Sequence, residues 1–398
     1  MTQPFAGLRV IDATHVLAGP FAAYQLGVMG ADVIRIDNPS DPDQSRLQGS
    51  DPNLNAMAMG TAFLAQGGNK RSVALNLKHS EGRDTLRRLI EGADVFVQNF
   101  RPGSLAALGL GYDDIATLNP RIVYCSISAF GQEGPRGGET GYDNVFQAMS
   151  GLMSMTGTPE SGPLRAGAPV VDYATGYMAA FAIASALFRR TATGAGAHVD
   201  LAMMDAALML MSAPIAALTA GGANPGLQGN RFPTACMGTY ATQDGLLMLG
   251  ASNHRQQRRM WLALGRPDMV KPDHAASVTD HEGEARALTD ILKSRSADDW
   301  AIFFNGHRAP AARVRTLQEA LADPQLASRG VIQDAGRVPG SGRPFAAPVA
   351  PFLMTDGNPV LARPAPHLGE DTIEILTEAG LSPDDIAALL HEGTALQS

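Results

Sequence analysis

The sequence predicts an α/β protein with a mostly parallel sheet and a second, smaller domain. Three observations lead there. Short apolar runs alternate with helically periodic segments through the first half. At 398 residues the chain is long for one ordinary core. Two breaks rich in Gly and Pro, at residues 219–230 and from Gly336, interrupt the second half.

LRVID, Leu8 to Asp12, reads as the first strand and Phe21 to Gly30 as a helix. ADVIRID, ending at Asp37, is the second strand, and SVALNL, from Ser72 to Leu77, the third. Leu86, Leu89 and Ile90 then fall at helical spacing. DVFVQNF (94–100), RIVYCSISAF (121–130) and HVDLAM (198–203) are three further strands. Strands separated by helical segments imply parallel pairing, with both sheet faces covered. The apolar stretch from Ala206 to Gly221 follows Asp205 and contains Pro214. It is too short for a membrane span and reads as a buried core helix. Two helices close the tail; the second has Ser382 as N-cap, Pro383 in the first helical position and Asp385 in the first turn.

Hydrophobic residues at 45% and charged residues at 18% suit an ordinary globular chain. A net charge of -8 gives no global attraction to nucleic acid. Cys125 and Cys236 are the two cysteines, too few for a disulfide framework or a zinc cluster, and read as incidental thiols. No secretory signal or membrane span is recognised at the start, MTQPFAGLRVID, so a cytoplasmic location is expected. The first strand lacks a G-x-G-x-x-G after it, which argues against a nicotinamide oxidoreductase, and no P-loop occurs. Ser126 and Ser128 lack the glycines of a nucleophile elbow. A carboxylate is the nucleophile left to consider.

Asp172 is the one acid in PLRAGAPVVDYATGYMAAFAIASALF, 163–188, and precedes a strongly apolar helix. Near a helix N-terminus a carboxylate anion is favoured. The residue reads either as an N-cap or as a reactive group.

These segments closely resemble the family III CoA-transferases, the group of formyl-CoA transferase and carnitine CoA-transferase that also includes the α-methylacyl-CoA racemases. The resemblance runs through LRVIDATHVLAGP, GADVIRID, NKRSVALNLK, QNFRPGSLAALGLGYDDI, the block from Ser128 to Phe188, and PAPHLGEDT near the end. It implies that Asp172 attacks an acyl-CoA thioester, giving an anhydride and then an aspartyl-CoA thioester. It implies supporting roles for Gly141, Tyr142 and Asp143, and CoA contacts by Val16, Asn99 and Phe100. Lys70 and Arg71, in the matching NKRS, are either phosphate contacts or solvated loop charges. Arg231, in the segment matching the one over the family's active site, is either an acceptor-carboxylate ligand or a surface arginine.

The implied fold is a Rossmann-like large domain over 1–218, a linker over 219–230, a small α+β domain over 231–330, and a second linker with a C-terminal return over 331–398. The implied assembly is an interlocked homodimer. The implied substrates are an acyl-CoA and a carboxylic acid, with coenzyme A as substrate rather than bound cofactor, no metal, and neither nucleic acid nor membrane as partner. Leu17 replaces an active-site Gln of formyl-CoA transferase, and Thr140 replaces a lysine. These departures point away from formyl-CoA and oxalate, toward succinyl-CoA with a small dicarboxylate. Two rival readings are a racemase, which needs an acid/base pair but has Tyr142 where the family's racemases have histidine, and a non-catalytic CoA-binding protein.

Overall fold

The computed structural model describes residues 2–279 and 281–398. The chain forms two compact units. One comprises the chain up to Met153 with Arg165–Ala223 and Gln325–Ser398; the other comprises Ser154–Leu164 and Asn224–Pro324. The boundaries expected from sequence therefore move: residues 154–164 join the second unit, and 325–330 return to the first.

The first unit is built on seven strands: β1 (Arg9–Ala13), β2 (Asp32–Asp37), β3 (Lys70–Leu75), β4 (Val95–Gln98), β5 (Val123–Ser128), β6 (Ala197–Ala202) and β7 (Ala395–Leu396). Their order is β7-β3-β2-β1-β4-β5-β6. All pairings are parallel except that of β7 with β3. Successive side chains leave opposite faces. Val10, Val33, Val95 and Val123 stand in one paired row and belong to one buried cluster. Ile11, Ile34, Phe96 and Tyr124 form the next row and belong to the other. Burial on both faces is why these strands read as near-continuous apolar runs.

Strand order reverses between β1 and β4. Loops leaving the carboxyl ends of strands diverge at such a point and open a crevice. Three helices border it: α1 (Ala18–Val28), α2 (Asp143–Met149) and α3 (Val170–Thr193). On α3 the residues Val171, Thr175, Ala179, Ile183 and Leu187 recur every fourth position and are buried. Gly176 lets α1 approach closely, since a Cβ there would lie 2.8 Å from both the Ala18 carbonyl oxygen and Phe21 Cδ1. Phe181 and Phe188, elsewhere on α3, are 76% and 80% exposed.

The second unit holds an antiparallel sheet of Ala311–Arg313, Leu246–Gly250 and Met237–Ala241. Its core gathers Trp261, Leu288, Trp300 and Phe304.

Four sequence readings need adjustment. The third strand starts at Lys70, two residues before SVALNL. Ala206 to Gly221 is not one buried helix: Met203–Leu210 and Ser212–Thr219 are separate, and no residue of the second is buried. Asp172 is not an N-cap, because Pro169 holds that position and Asp172 is the third helical residue. The break from Gly336 lies in a hairpin of Ile332–Arg337 with Pro344–Pro348. The tail has its two helices, Thr372–Glu378 and Pro383–His391, and Ser382 caps the second with Asp385 reciprocating.

Candidate active site

The turn between β1 and α1 is secured from beneath. Asp12, at the carboxyl end of β1, accepts hydrogen bonds from the Thr14 amide at 3.1 Å and from the Thr14 hydroxyl. The Lys70 ammonium meets Asp12 at 2.8 Å and also donates to the Pro20 carbonyl at 2.7 Å. Both charged side chains are fully buried. Asn99, just beyond β4, clasps the turn from across the crevice: its Oδ1 accepts from the His15 amide at 3.0 Å, and its Nδ2 donates to the His15 carbonyl at 2.7 Å. The two loops that diverge at the strand-order reversal are thereby tied together.

Asp172 opens into a cleft of about 310 Å3 lined also by His15, Val16, Leu17, Asn99, Phe100, Arg101, Ser128, Gly141 and Tyr142. An adjoining cleft of about 550 Å3 shares His15, Val16, Phe100 and Tyr142 and extends past Arg35, Asp43, Leu75, Leu77 and Lys78. Among the described residues, the Asp172 carboxylate has no hydrogen bond and no ion pair, while its backbone amide donates to Asp143. Burial pushes its carboxyl up to about 7, and the nearby Asp143 carboxylate adds to the rise. A free, poorly solvated carboxylate suits nucleophilic attack.

Asp143 lies behind the cleft. Its Oδ2 accepts from the amides of Val171 at 2.7 Å and Asp172 at 3.2 Å, capping α3 from another element. Its Oδ1 accepts from Gln147, whose own Oε1 takes the Ala166 amide at 2.8 Å. At Gly141 a Cβ would come within 2.4 Å of the buried Phe146 ring, so the glycine lets the ring pack against the backbone. Tyr142 is the N-cap residue of α2 and 58% exposed. Phe100 meets His15 edge-on at 5.2 Å between ring centres. Burial holds the His15 imidazole below its ordinary value, which keeps it neutral near pH 7.

Of the residues singled out from sequence, Asp172, Gly141, Tyr142, Val16, Asn99 and Phe100 line one cleft. Lys70 and Arg71 do not. Lys70 is sealed against Asp12 inside the sheet, leaving no surface for a phosphate. Arg71 is engaged by Asp32, Glu374 and Glu378. Arg231 belongs to the second unit, bridged to Gly238 and lining a cavity there with Tyr240 and His281. Sequence reasoning missed His15, Arg101, Lys78 and Asp43. The first three sit within the matched motifs LRVIDATHVLAGP, QNFRPGSLAALGLGYDDI and NKRSVALNLK and could have been found as residues just past strand ends. Asp43 lies in NPSDPDQSR, which has the composition of a surface loop.

Comparison with known proteins identifies the family. CoA-transferase family III matches residues 5–372. The chain is 34% identical over 388 residues to the succinate–glutarate CoA-transferase of Agrobacterium fabrum, covering 94% of this chain and 95% of that one. It is 34% identical over 397 residues to the succinyl-CoA:glutarate CoA-transferase of Mus musculus, covering 94% and 86%. The crystal structure of a CAIB/BAIF family protein from Brucella suis superposes with a TM-score of 0.83 at 31% identity, covering 95% of this chain and 100% of that one. Similarity over nearly the whole length, in both sequence and fold, settles the family: the chain belongs to CoA-transferase family III and is a CoA-transferase.

Proposed function

We propose that this enzyme moves CoA from an acyl-CoA donor to a carboxylic acid through covalent intermediates on Asp172. The observation that carries this reading is the unpartnered Asp172 carboxylate, raised to about 7, facing a cleft walled by the matched residues. An Asp172 oxygen attacks the thioester carbonyl carbon, and the carbon–sulfur bond breaks to give an anhydride and CoA thiolate. The thiolate then attacks the Asp172 carbonyl carbon, releasing the donor's carboxylate and leaving an aspartyl-CoA thioester. The acceptor carboxylate attacks that thioester, freeing the thiolate again and forming a second anhydride. Attack of the thiolate on the acceptor's acyl carbon yields the new acyl-CoA and restores Asp172. No net proton is consumed, and transfer in place of hydrolysis requires water to be kept from both intermediates.

The substrates proposed are succinyl-CoA and a small dicarboxylate. Relatives named for succinate or succinyl-CoA with glutarate support this, as does one named for succinyl-CoA and mesaconate. Arg101, a permanent cation on the cleft holding Asp172, suits the second carboxylate of such a substrate. Lys78, exposed on the larger cleft, suits a phosphate of CoA. The proposed assembly is an interlocked homodimer. Support comes from the apolar surface of α3 and the helices after it, where Phe181, Phe188 and Met209 are exposed.

The test is trapping. Enzyme incubated with succinyl-CoA and then hydroxylamine loses activity and carries a hydroxamate on Asp172, while the Asp172→Ala variant transfers nothing. Retained activity with Asp172 unmodified, and only the hydroxamate of the donor acid released, instead rules out the aspartyl route.

A further inference from the structure

We infer that Asp43 is a positioning residue for CoA transfer, holding Val16 in a left-handed backbone conformation where the two clefts meet. The inference rests on the reading of those clefts as the acyl-CoA site.

Val16 has φ 70°. Left-handed backbone is rare for any residue with a Cβ and a true outlier for a β-branched one. Among the described residues, the non-glycine positions with positive φ are Val16, Ala58, Asn69 and Arg308, and of these only Val16 is β-branched. Such a conformation persists where the surroundings over-determine it. Here they do so through both peptide groups that flank Val16. On one side, the His15 carbonyl accepts from Asn99 at 2.7 Å while the Val16 amide donates to both Asp43 oxygens, at 3.1 and 3.2 Å. On the other, the Val16 carbonyl accepts from Gln66 Nε2 at 2.7 Å. The dihedrals of Val16 are the relative orientation of those two peptide planes, so side chains from three separate segments fix them.

Asp43 is itself fixed. Arg35 meets it at 2.6 Å with both side chains buried, and the Ser45 amide donates to it at 3.0 Å. Burial alone would raise its carboxyl, but Arg35 and the amides of Ser45 and Val16 hold it below the usual carboxylate range. It therefore remains an anion with two acceptor oxygens. Glycine would adopt this conformation without steric cost. The clamp thus preserves a valine side chain at the junction of the clefts, and it sets the direction in which Leu17 and Ala18 enter the wall that also holds Asp172.

The test is a coupling measurement on the full-length enzyme with succinyl-CoA and glutarate. Asp43→Ala is expected to lower kcat/KM for succinyl-CoA at least tenfold, about 1.4 kcal/mol, while the KM for glutarate stays within twofold. Val16→Gly carries a loss of its own, but in that background Asp43→Ala is expected to cost less than threefold, because glycine needs no clamp. A purely structural defect would cost the same in both backgrounds, and equal losses overturn the inference. Should Asp43→Ala not fold, Gln66→Leu removes the opposite arm of the clamp and is read by the same pair of backgrounds. Hydroxylamine trapping on the parent enzyme tests the Asp172 reading separately, so failure of one is distinguishable from failure of the other.

Discussion

Asp143 caps the helix that presents Asp172: one carboxylate oxygen of Asp143 accepts the Asp172 amide at 3.2 Å and the Val171 amide at 2.7 Å. The same residue therefore fixes the helix end that carries the Asp172 carboxylate and repels its charge. Asp143→Asn keeps an acceptor for the amides and removes the repulsion. The acid limb of the kcat/KM profile for succinyl-CoA is then expected to move below about 7, by less than the whole displacement, because burial is the larger cause. Asp143→Ala also removes the cap, costing about 1–2 kcal/mol of stability. An unchanged pH profile in the Asn variant would show that Asp143 has no electrostatic hold on Asp172.

The raised carboxyl of Asp172 makes it a liability to the fold. Its folded value of about 7 lies above the ordinary 3.8, so the folded protein binds the proton more tightly than the unfolded chain. Stability then falls as pH rises from about 4 through about 7, and the deficit is complete above that. Asp172→Asn should unfold at a higher temperature than the parent at pH 8 and at nearly the same temperature at pH 4. The rise from 3.8 to about 7 corresponds to about 4 kcal/mol, a ceiling because the carboxyl keeps contact with water in the cleft. Thermal unfolding at the two pH values reads the difference, and equal midpoints at pH 8 would contradict it.

Gly176 sits one helical turn beyond Asp172, at the contact with α1. Adding a methyl group 2.8 Å from the Ala18 carbonyl forces α1 and α3 apart. Gly176→Ala should lose roughly 1–3 kcal/mol of stability despite alanine's better helix propensity. Transfer activity should fall more than stability requires at assay temperature, since Leu17 and Asp172 face one cleft. A variant as stable and active as the parent would mean that the approach of the two helices is not tight.

Lys70 separates a scaffold role from a phosphate contact. Lys70→Met leaves Asp12 buried without its ion pair and should cost about 3–5 kcal/mol. Lys70→Met combined with Asp12→Asn should recover part of that. If Lys70 held a phosphate, the double variant would bind CoA as poorly as the single one; the expectation is that CoA affinity of the folded double variant, read by calorimetry, stays near the parent's.

The parallel sheet is legible because runs such as ADVIRID and RIVYCSISAF have few other uses; Asp172 stands out as the one acid in a long apolar stretch, but composition leaves it open between an N-cap and a reactive group. Three features are not legible. Lys70 and Arg71 have the composition of a loop, and only the pairing of β3 with β2 shows that one is sealed inside the sheet and the other is bound by three carboxylates. Asp43 is hidden for the same reason: charges that pair in space give no pattern along the chain. The stretch from Ala206 has the apolar composition of a core helix, yet Met209, Leu210, Ile215 and Leu218 are exposed, because composition does not record which faces the fold covers.

The pairing of β3 has a consequence for how the chain reaches its fold. Its outer edge is closed by residues about 300 positions later: the Ser72 amide donates to Asp371, the Ala74 amide to Thr372, and Leu75 pairs with Ala395. Closing so long a loop is entropically slow compared with local helix formation. Until it closes, β3 is a bare strand edge, the part of an incomplete sheet most prone to pair with another chain. Recovery of native enzyme from denaturant should therefore be limited by concentration, with losses set by how long that edge waits for its distant partner.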